Sequence, residues 1–353
     1  MKNKYENRIK KVFDKISSNS EAFLITNLNN IRYLTGFRGS FAVTLLTPQG
    51  CFLFVDFRYV EQAKKEAVAE VVFFKDSWIN AVMKFIKDFD IKRLSFEVTC
   101  PFETFHKLSS IKIEVVPQYY IVEHLRAVKE QEEIDKIKVA VKIAEEAFLE
   151  TKHFVREGIS EKTIARALEN EIKKYSDTLP FPVIVASGAN SSMPHWRNSD
   201  KTLNYGDFVI IDWGAEYEGY FSDMTRTFII GNADNKKKEI YEIVNKARQE
   251  AIMACKAGML AKDIDHAARN LIKQSGYEEN FGHATGHGVG LDVHEFPKIN
   301  HQSEEIIEPG MVFTVEPGIY MEGFGGVRIE DMVVVKGNSV EILTTLSRDL
   351  EIL

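Results

Sequence analysis

Two acids, Asp212 and Asp223, stand in VIIDWGAEYEGYFSDMTRT (residues 209–227), a stretch whose flanking strand positions are largely apolar. This pairing constrains the fold more tightly than any other feature. A tight turn at Tyr217–Glu218 would set the two carboxylates directly opposite each other on paired strands, where like charges repel. A cation held between them removes the conflict. Alternatively, one Asp faces solvent and the other caps the turn, and the hairpin alone does not separate these readings. VFTVEPGIYMEGFGGVRIED (312–331) repeats the pattern: a turn around Gly323–Gly326 brings Glu316 near Glu330. Carboxylates are almost never buried unless paired or bound to a metal. Arg328 is expected on the opposite face of its strand from Glu330, available to an acid on another element.

The segment FGHATGHGVGLDVHEFP (281–297) gathers His283, His287 and His294. A helical zinc-protease motif needs Glu directly after its first His, and Ala284 stands there. Gly282, Gly286, Gly288 and Gly290 also oppose a helix, since each interior Gly costs roughly 1 kcal/mol relative to Ala. The histidines therefore belong to extended or looped backbone. Two Asp, two Glu and one neutral imidazole carry the charge that two divalent cations balance. An oxygen-rich set with one nitrogen suits Mn²⁺, or Co²⁺ in its place, better than the nitrogen- and sulfur-rich arrangements typical of Zn²⁺. Two such ions ~3.5–4 Å apart can share a hydroxide and polarise a carbonyl.

At 353 residues the chain is too long for one ordinary core. A boundary near residues 120–130 is expected, giving an α/β domain over 1–122 and an α+β domain over 123–353. In the first, an amphipathic opening helix leads to AFLITNLNNIRYLTGF; FAVTLLTPQGCFLFVDFRYVEQAKKEA then reads as strand, Pro-Gln-Gly turn, strand and helix, LSFEVT and IKIEVV as further strands, and no phosphate-cradling glycine loop is present. In the second, LRAVKEQEEIDKIKVAVKIAEEAFLETKHFV reads as one helix of about seven turns. Ser160 is expected to cap the next helix. Two more helices follow, each closed by Gly, with strands between and after them, and no repeat at a solenoid period appears. The formal charge of −7 argues against nucleic acid or an anionic membrane as partner. No apolar run is long enough to span a bilayer, and MKNKYENRIKKVF lacks the apolar core of a secretory signal. Cys51, Cys100 and Cys255 are odd in number and far apart, which argues against disulfides and fits a reducing cytoplasm.

IIDWGAEYEGYFSDMTRT, HATGHGVGLDVHE, FTVEPGIY and GVRIED together resemble the pita-bread, M24-type metallopeptidases, in the proline-specific branch that includes prolidase and aminopeptidase P. NIRYLTGFRGS and DFRYVEQA extend the resemblance into the first domain. It implies a creatinase-like N-terminal domain and a pita-bread (creatinase/aminopeptidase-like) catalytic domain. It also implies metal ligands Asp212, Asp223, His287, Glu316 and Glu330, with Asp223 and Glu330 bridging two divalent ions, Mn²⁺ favoured over Co²⁺ or Zn²⁺. His195, in SGANSSMPHWRNSDK, would lie near the substrate, His294 would meet the tetrahedral intermediate, and His283 would stand beside the substrate or order its loop. Glu316 would also carry a proton to the leaving nitrogen. The implied substrate is a small peptide with proline in second position, and the implied assembly a homodimer. His106, His124, His153, His266 and His301 are read as structural, and Trp78, Trp196 and Trp213 as packing, with Trp196 also a candidate for the pocket wall.

A methionine-aminopeptidase-like exopeptidase shares the ligand set but not an N-terminal domain of this kind. Creatinase shares the two-domain build without the ligands, and a non-catalytic pita-bread binding module would be expected to have lost some. Where some prolidases carry Arg to hold a dipeptide's carboxylate, this chain has Lys298, a point charge without the bidentate fork. Dipeptide and longer substrates both remain open on sequence.

Overall fold

The computed structural model describes residues 2–16, 21–110 and 112–353. Met1 and Ile111, the first residues of the opening-helix and IKIEVV readings, lie outside them. The chain divides into two compact units, Met1–Arg126 and Ala127–Leu353.

The first unit is built on a six-stranded sheet. Its spatial order is Glu70–Phe73, Gly50–Val55, Val43–Thr47, Ala22–Ile25, Arg93–Glu97 and Glu114–Gln118. Ala22–Ile25 is buried along its whole length, as expected of an interior strand covered on both faces. Leu24, Leu45, Phe54 and Leu94 pack with Val82 and Ile86 from the helix Trp78–Asp88. The strand–turn–strand–helix reading of residues 41–67 matches Val43–Thr47, Gly50–Val55 and Val60–Glu66.

In the second unit the expected seven-turn helix is two helices, Ile121–Ala127 and Gln131–Thr151, the first of which begins in the other unit. The break has a local cause. Glu130 and Glu133 form a reciprocal capping box that starts the second helix, and Lys129 N–H donates to Gly310 O instead of continuing the first. Ser160 caps Glu161–Ile172 by accepting from Thr163 N–H, as expected. A four-stranded sheet runs Glu351–Ile352, Met224–Ile229, Phe208–Trp213 and Ile184–Ser187. A five-stranded sheet runs Glu295–Ile299, Gly286–Gly288, Val312–Val315, Asp331–Val335 and Val340–Ile342.

The second unit repeats itself. Helices Gln131–Thr151 and Glu161–Ile172 precede the first sheet's strands, and helices Asn235–Ala254 and Ala261–Gln274 precede the second's. The connections correspond bond for bond. Gly158 N–H donates to Leu203 O and Glu161 N–H to Lys201 O; Gly258 N–H donates to Ile307 O and Ala261 N–H to Glu305 O. Each second helix buries matched positions, Ile164, Leu168 and Ile172 against Ile264, Ala268 and Ile272, the i, i+4, i+8 stripe of a core-facing helix.

Candidate active site

The turn that sets the acid pair lies one residue later than Tyr217–Glu218. Tyr217 pairs Tyr220, and Glu218 and Gly219 both have positive φ, 46° and 79°. This is the two-residue hairpin geometry that suits strand twist and calls for Gly at its second position. The one-residue shift moves every cross-strand partner by two, so Asp212 faces Thr225 rather than Asp223. Asp212 and Asp223 are diagonal neighbours on one face, near enough for each charge to act on the other. The second pair is as expected. Val315 pairs Asp331 and Gly318 pairs Arg328, so Glu316 and Glu330 fall opposite each other between the two ladders.

His287 joins both pairs. Its Nε2 lies 3.3 Å from Glu316 Oε1 and 3.6 Å from Asp223 Oδ2. Its Nδ1 lies 3.1 Å from the Gly288 carbonyl, which can only accept. Nδ1 therefore carries a hydrogen and Nε2 is the nitrogen turned to the carboxylates; burial works against a proton there, but Glu316 beside it prevails and raises the ring's affinity for one. Glycines flank this histidine because its strand is hemmed in by backbone: a Cβ at Gly286 would stand 1.9 Å from Thr314 O, and one at Gly288 2.0 Å from Phe296 O. Asp223, His287 and Glu330 bring one ligand atom each within 4.8 Å of one another.

The charges are unbalanced. Burial first, then the neighbouring carboxylates, push Asp223 and Glu330 well above the usual carboxylate range. Burial also pushes Glu316 up, but His287 beside it prevails and holds it at about 2. Asp212 is raised by burial despite Arg328, whose Nη2 lies 2.6 Å from its Oδ2. Two carboxylate oxygens, Asp212 Oδ1 and Glu330 Oε1, are buried with no hydrogen-bond partner. A native fold leaves few such atoms; a third buried carboxylate oxygen, Glu295 Oε1, differs in having the Lys129 ammonium at 2.7 Å.

Arg328 pairs with an acid on another element, as expected, but it does not face away from Glu330. Residues two apart share a strand face, and both side chains converge on Thr225: Arg328 Nε donates to Thr225 Oγ1 at 3.0 Å, and that hydroxyl donates to Glu330 Oε2 at 2.7 Å. Arg328 Nη1 donates to the Tyr320 hydroxyl at 3.0 Å, which lies 2.9 Å from His283 Nε2. His283 Nδ1 lies 2.7 Å from Ala284 O and so carries the hydrogen, leaving Nε2 to accept from Tyr320. Thr314 supports the other side, accepting from His287 N–H and donating to Glu316 Oε1. Sequence reasoning missed Tyr320, Thr225 and Thr314. The signal for the threonines was present: each stands two residues from an acid, Asp223 or Glu316, on the same strand face.

His294 lies beside His287, ring centroids 4.1 Å apart with planes tilted by 52°, and the residue is partly open to solvent. Glu295 beside it forms a buried ion pair with Lys129 at 2.7 Å, which seats this loop. His195 is also exposed, and it is near enough to His283 and His294 for its charge to oppose protonation of both. Trp196 donates Nε1–H to Glu161 at 2.9 Å. Trp213 is packing, stacked on Phe148 with Nε1–H on Ala144 O.

Residues 135–337 match the model of metallopeptidase family M24, and residues 8–128 that of the Creatinase/Prolidase N-terminal domain. A Pyrococcus horikoshii protein named Xaa-Pro dipeptidase is 38% identical over 353 residues, covering 97% of this chain and 98% of its own. A solved Xaa-Pro dipeptidase from Bacillus anthracis superposes with a TM-score of 0.95 at 39% identity over 99% of this chain and 100% of its own. A solved X-Pro aminopeptidase from Thermotoga maritima gives 0.87 at 41% identity over 95% and 98%. The fold is that of a creatinase-type N-terminal domain followed by a pita-bread domain, and the family implies divalent metal ions. Since the family match spans every acid and histidine of the cluster and both domains are accounted for, the chain belongs to metallopeptidase family M24.

Proposed function

We propose that this protein is a dinuclear metal-dependent exopeptidase that cleaves the bond between an N-terminal residue and proline. The observation that carries the reading is the convergence of Asp212, Asp223, Glu316 and Glu330 on His287, with two buried carboxylate oxygens left unpartnered. That donor set fits divalent cations: the orphaned oxygens are acceptors awaiting a positive partner, and the imidazole offers a lone pair. Asp212, Asp223, His287, Glu316 and Glu330 would hold two ions, with Asp223 and Glu330 shared. Oxygen-rich ligation with one nitrogen favours Mn²⁺ over Co²⁺ or Zn²⁺. The names of the relatives support the choice of proline.

Bound cations would supply Lewis-acid polarisation of the scissile carbonyl and acidification of the attacking water. The chain's own residues do the rest. Glu316 accepts the water's proton and delivers it to the proline nitrogen, a poor leaving group until protonated. His294 donates to the oxyanion as it forms. His195 borders the substrate. His283 has both ring nitrogens engaged, so its part is to hold Tyr320 and the loop before His287. Arg328 offsets one carboxylate and thereby limits how much positive charge the cluster must recruit.

Relatives named as a dipeptidase and as an aminopeptidase both match over nearly their whole length, and Lys298 in place of a bidentate Arg weakens the case for a tight dipeptide clamp. A cytoplasmic homodimer remains the reading of cysteine usage and resemblance. Among the described residues no helix is long and apolar enough to cross a membrane. The test is hydrolysis of Ala-Pro beside Ala-Pro-Ala by Mn²⁺-loaded protein, with Ala-Ala as control. Release of free alanine from the control as fast as from the proline peptides would refute the proline preference.

A further inference from the structure

Glu161 opens the helix Glu161–Ile172 and is fully buried. Its carboxylate is saturated. Oε1 accepts Ser187 N–H at 2.8 Å, Ser187 Oγ–H at 2.8 Å and Asn190 Nδ2–H at 3.0 Å. Oε2 accepts Trp196 Nε1–H at 2.9 Å, Ser199 N–H at 3.0 Å and Ser199 Oγ–H at 2.7 Å. No Lys or Arg pairs with it among these contacts; it is an anion solvated by one segment of chain. Burial works against its charge, yet the donors of Asn190, Ser199, Trp196 and Ser187 prevail and hold it below the usual carboxylate range.

Those donors lie at both ends of residues 187–199, and His195 stands between them with its ring exposed. Further bonds brace the same segment. Asn198 accepts from Val185 N–H and donates to Val183 O, and Ser191 Oγ accepts from Gly326 N–H on the strand that carries Arg328. The other half of the unit has a counterpart. Asp265, fully buried one turn into the matching helix, accepts from both N–H and Oγ–H of Thr285, between His283 and His287. In each half, the second helix buries one carboxylate beside its apolar stripe and turns it to the segment that bears these histidines; Asp265, unlike Glu161, is also paired with Arg269 at 2.8 Å.

We propose that Glu161 is a positioning residue for the reaction, fixing the 187–199 segment so that the exposed ring of His195 meets the peptide substrate. The proposal rests on reading the cluster as a peptidase centre bordered by His195. Gln at 161 keeps the shape but turns one acceptor edge into a donor facing three donors, so one end of the segment is released. A displacement of about 1 Å at a reacting group costs on the order of 10²-fold in rate.

The test is a double-mutant cycle on the Mn²⁺-loaded full chain with Ala-Pro as substrate. Glu161→Gln should lower kcat/KM by on the order of 10²-fold, with the same division between kcat and KM that His195→Ala shows and with metal content unchanged. In the His195→Ala background the same substitution should cost less than about 3-fold, since coupled residues do not add. Equal losses in both backgrounds, or none in either, overturn the proposal while leaving the peptidase reading intact. A fully active His195→Ala overturns both the role of His195 and the proposal. Should Glu161→Gln fail to fold, Ser199→Ala decides: it removes one hydroxyl donor, and its loss should likewise appear only with His195 present.

Discussion

Arg328 Nη2 lies 2.6 Å from Asp212 Oδ2, with the two side chains only 4% and 14% exposed. Removing one partner of a buried pair leaves the other charged and uncompensated, at a typical cost of about 3–5 kcal/mol. Arg328→Met is therefore expected to lower the melting temperature of chelator-treated protein sharply. A bound cation replaces part of the lost charge, so the deficit should shrink when Mn²⁺ is restored. Calorimetry on both forms checks this; a deficit that ignores metal would mean Arg328 acts through packing alone.

Metal removal is the broader form of the same prediction. Chelation should abolish activity, and Mn²⁺ or Co²⁺ should restore it. An ion present at about 100 times its dissociation constant adds about 2.7 kcal/mol of stability, so the melting temperature should rise with it. Asp223→Asn replaces a charge and one coordinating oxygen with an amide, and mass spectrometry should find fewer ions per chain. Full turnover after verified metal loss would end the two-metal reading.

Much of this was legible in the strands. The acids betrayed themselves by standing in apolar runs, and the glycines around His287 excluded a helix. What failed was register and facing. The turn falls at Glu218–Gly219 rather than Tyr217–Glu218, a difference of one residue that the polar run does not settle; the cue is that Gly219 suits the positive φ it adopts. Arg328 shares a face with Glu330 rather than opposing it, as the period of two along a strand requires. The half-repeat is hidden in the sequence because EGISEK and AGMLAK share only Gly and Lys, and the correspondence lies in buried apolar spacing and backbone bonds. Glu161 and Tyr320 carry no motif; their partners arrive only when the chain folds.

Glu97, in the first unit, gives a pH prediction independent of metal. Burial raises its carboxyl to about 7, against the donors of Asn30, Asn27 and Thr26. The folded state then binds a proton that the unfolded chain releases near its ordinary value of 4.5. Its contribution is full below 4.5 and is lost as pH rises through about 7. The whole shift corresponds to about 3 kcal/mol at about 1.4 kcal/mol per unit. Amide exchange at Thr26 and Asn27, corrected for the intrinsic pH effect, should reveal faster opening at pH 8 than at pH 5. Glu97→Gln should flatten that difference, and an unchanged difference would refute the assignment.

Glu316 carries two roles at once, and separating them needs two measurements on one variant. Its Oε1 lies 3.3 Å from His287 Nε2 and accepts from Thr314 Oγ1 at 3.1 Å, which keeps the carboxylate anionic and aimed into the cluster. Glu316→Gln preserves shape and one coordinating oxygen but cannot carry a proton to the leaving nitrogen. A positioned acid–base group contributes about 10²–10⁴-fold, so kcat should fall by that factor with KM changed far less. His294→Ala should also depress kcat, because a bond to the oxyanion strengthens only as the transition state forms. The two losses should differ in pH dependence: His294→Ala removes a group that burial and the neighbouring His287 hold below the ordinary histidine value, whereas Glu316→Gln leaves it in place. Turnover and metal content are read together on Glu316→Gln. Retained ions with collapsed turnover establish the proton role; retained ions with near-native turnover would reduce Glu316 to a ligand.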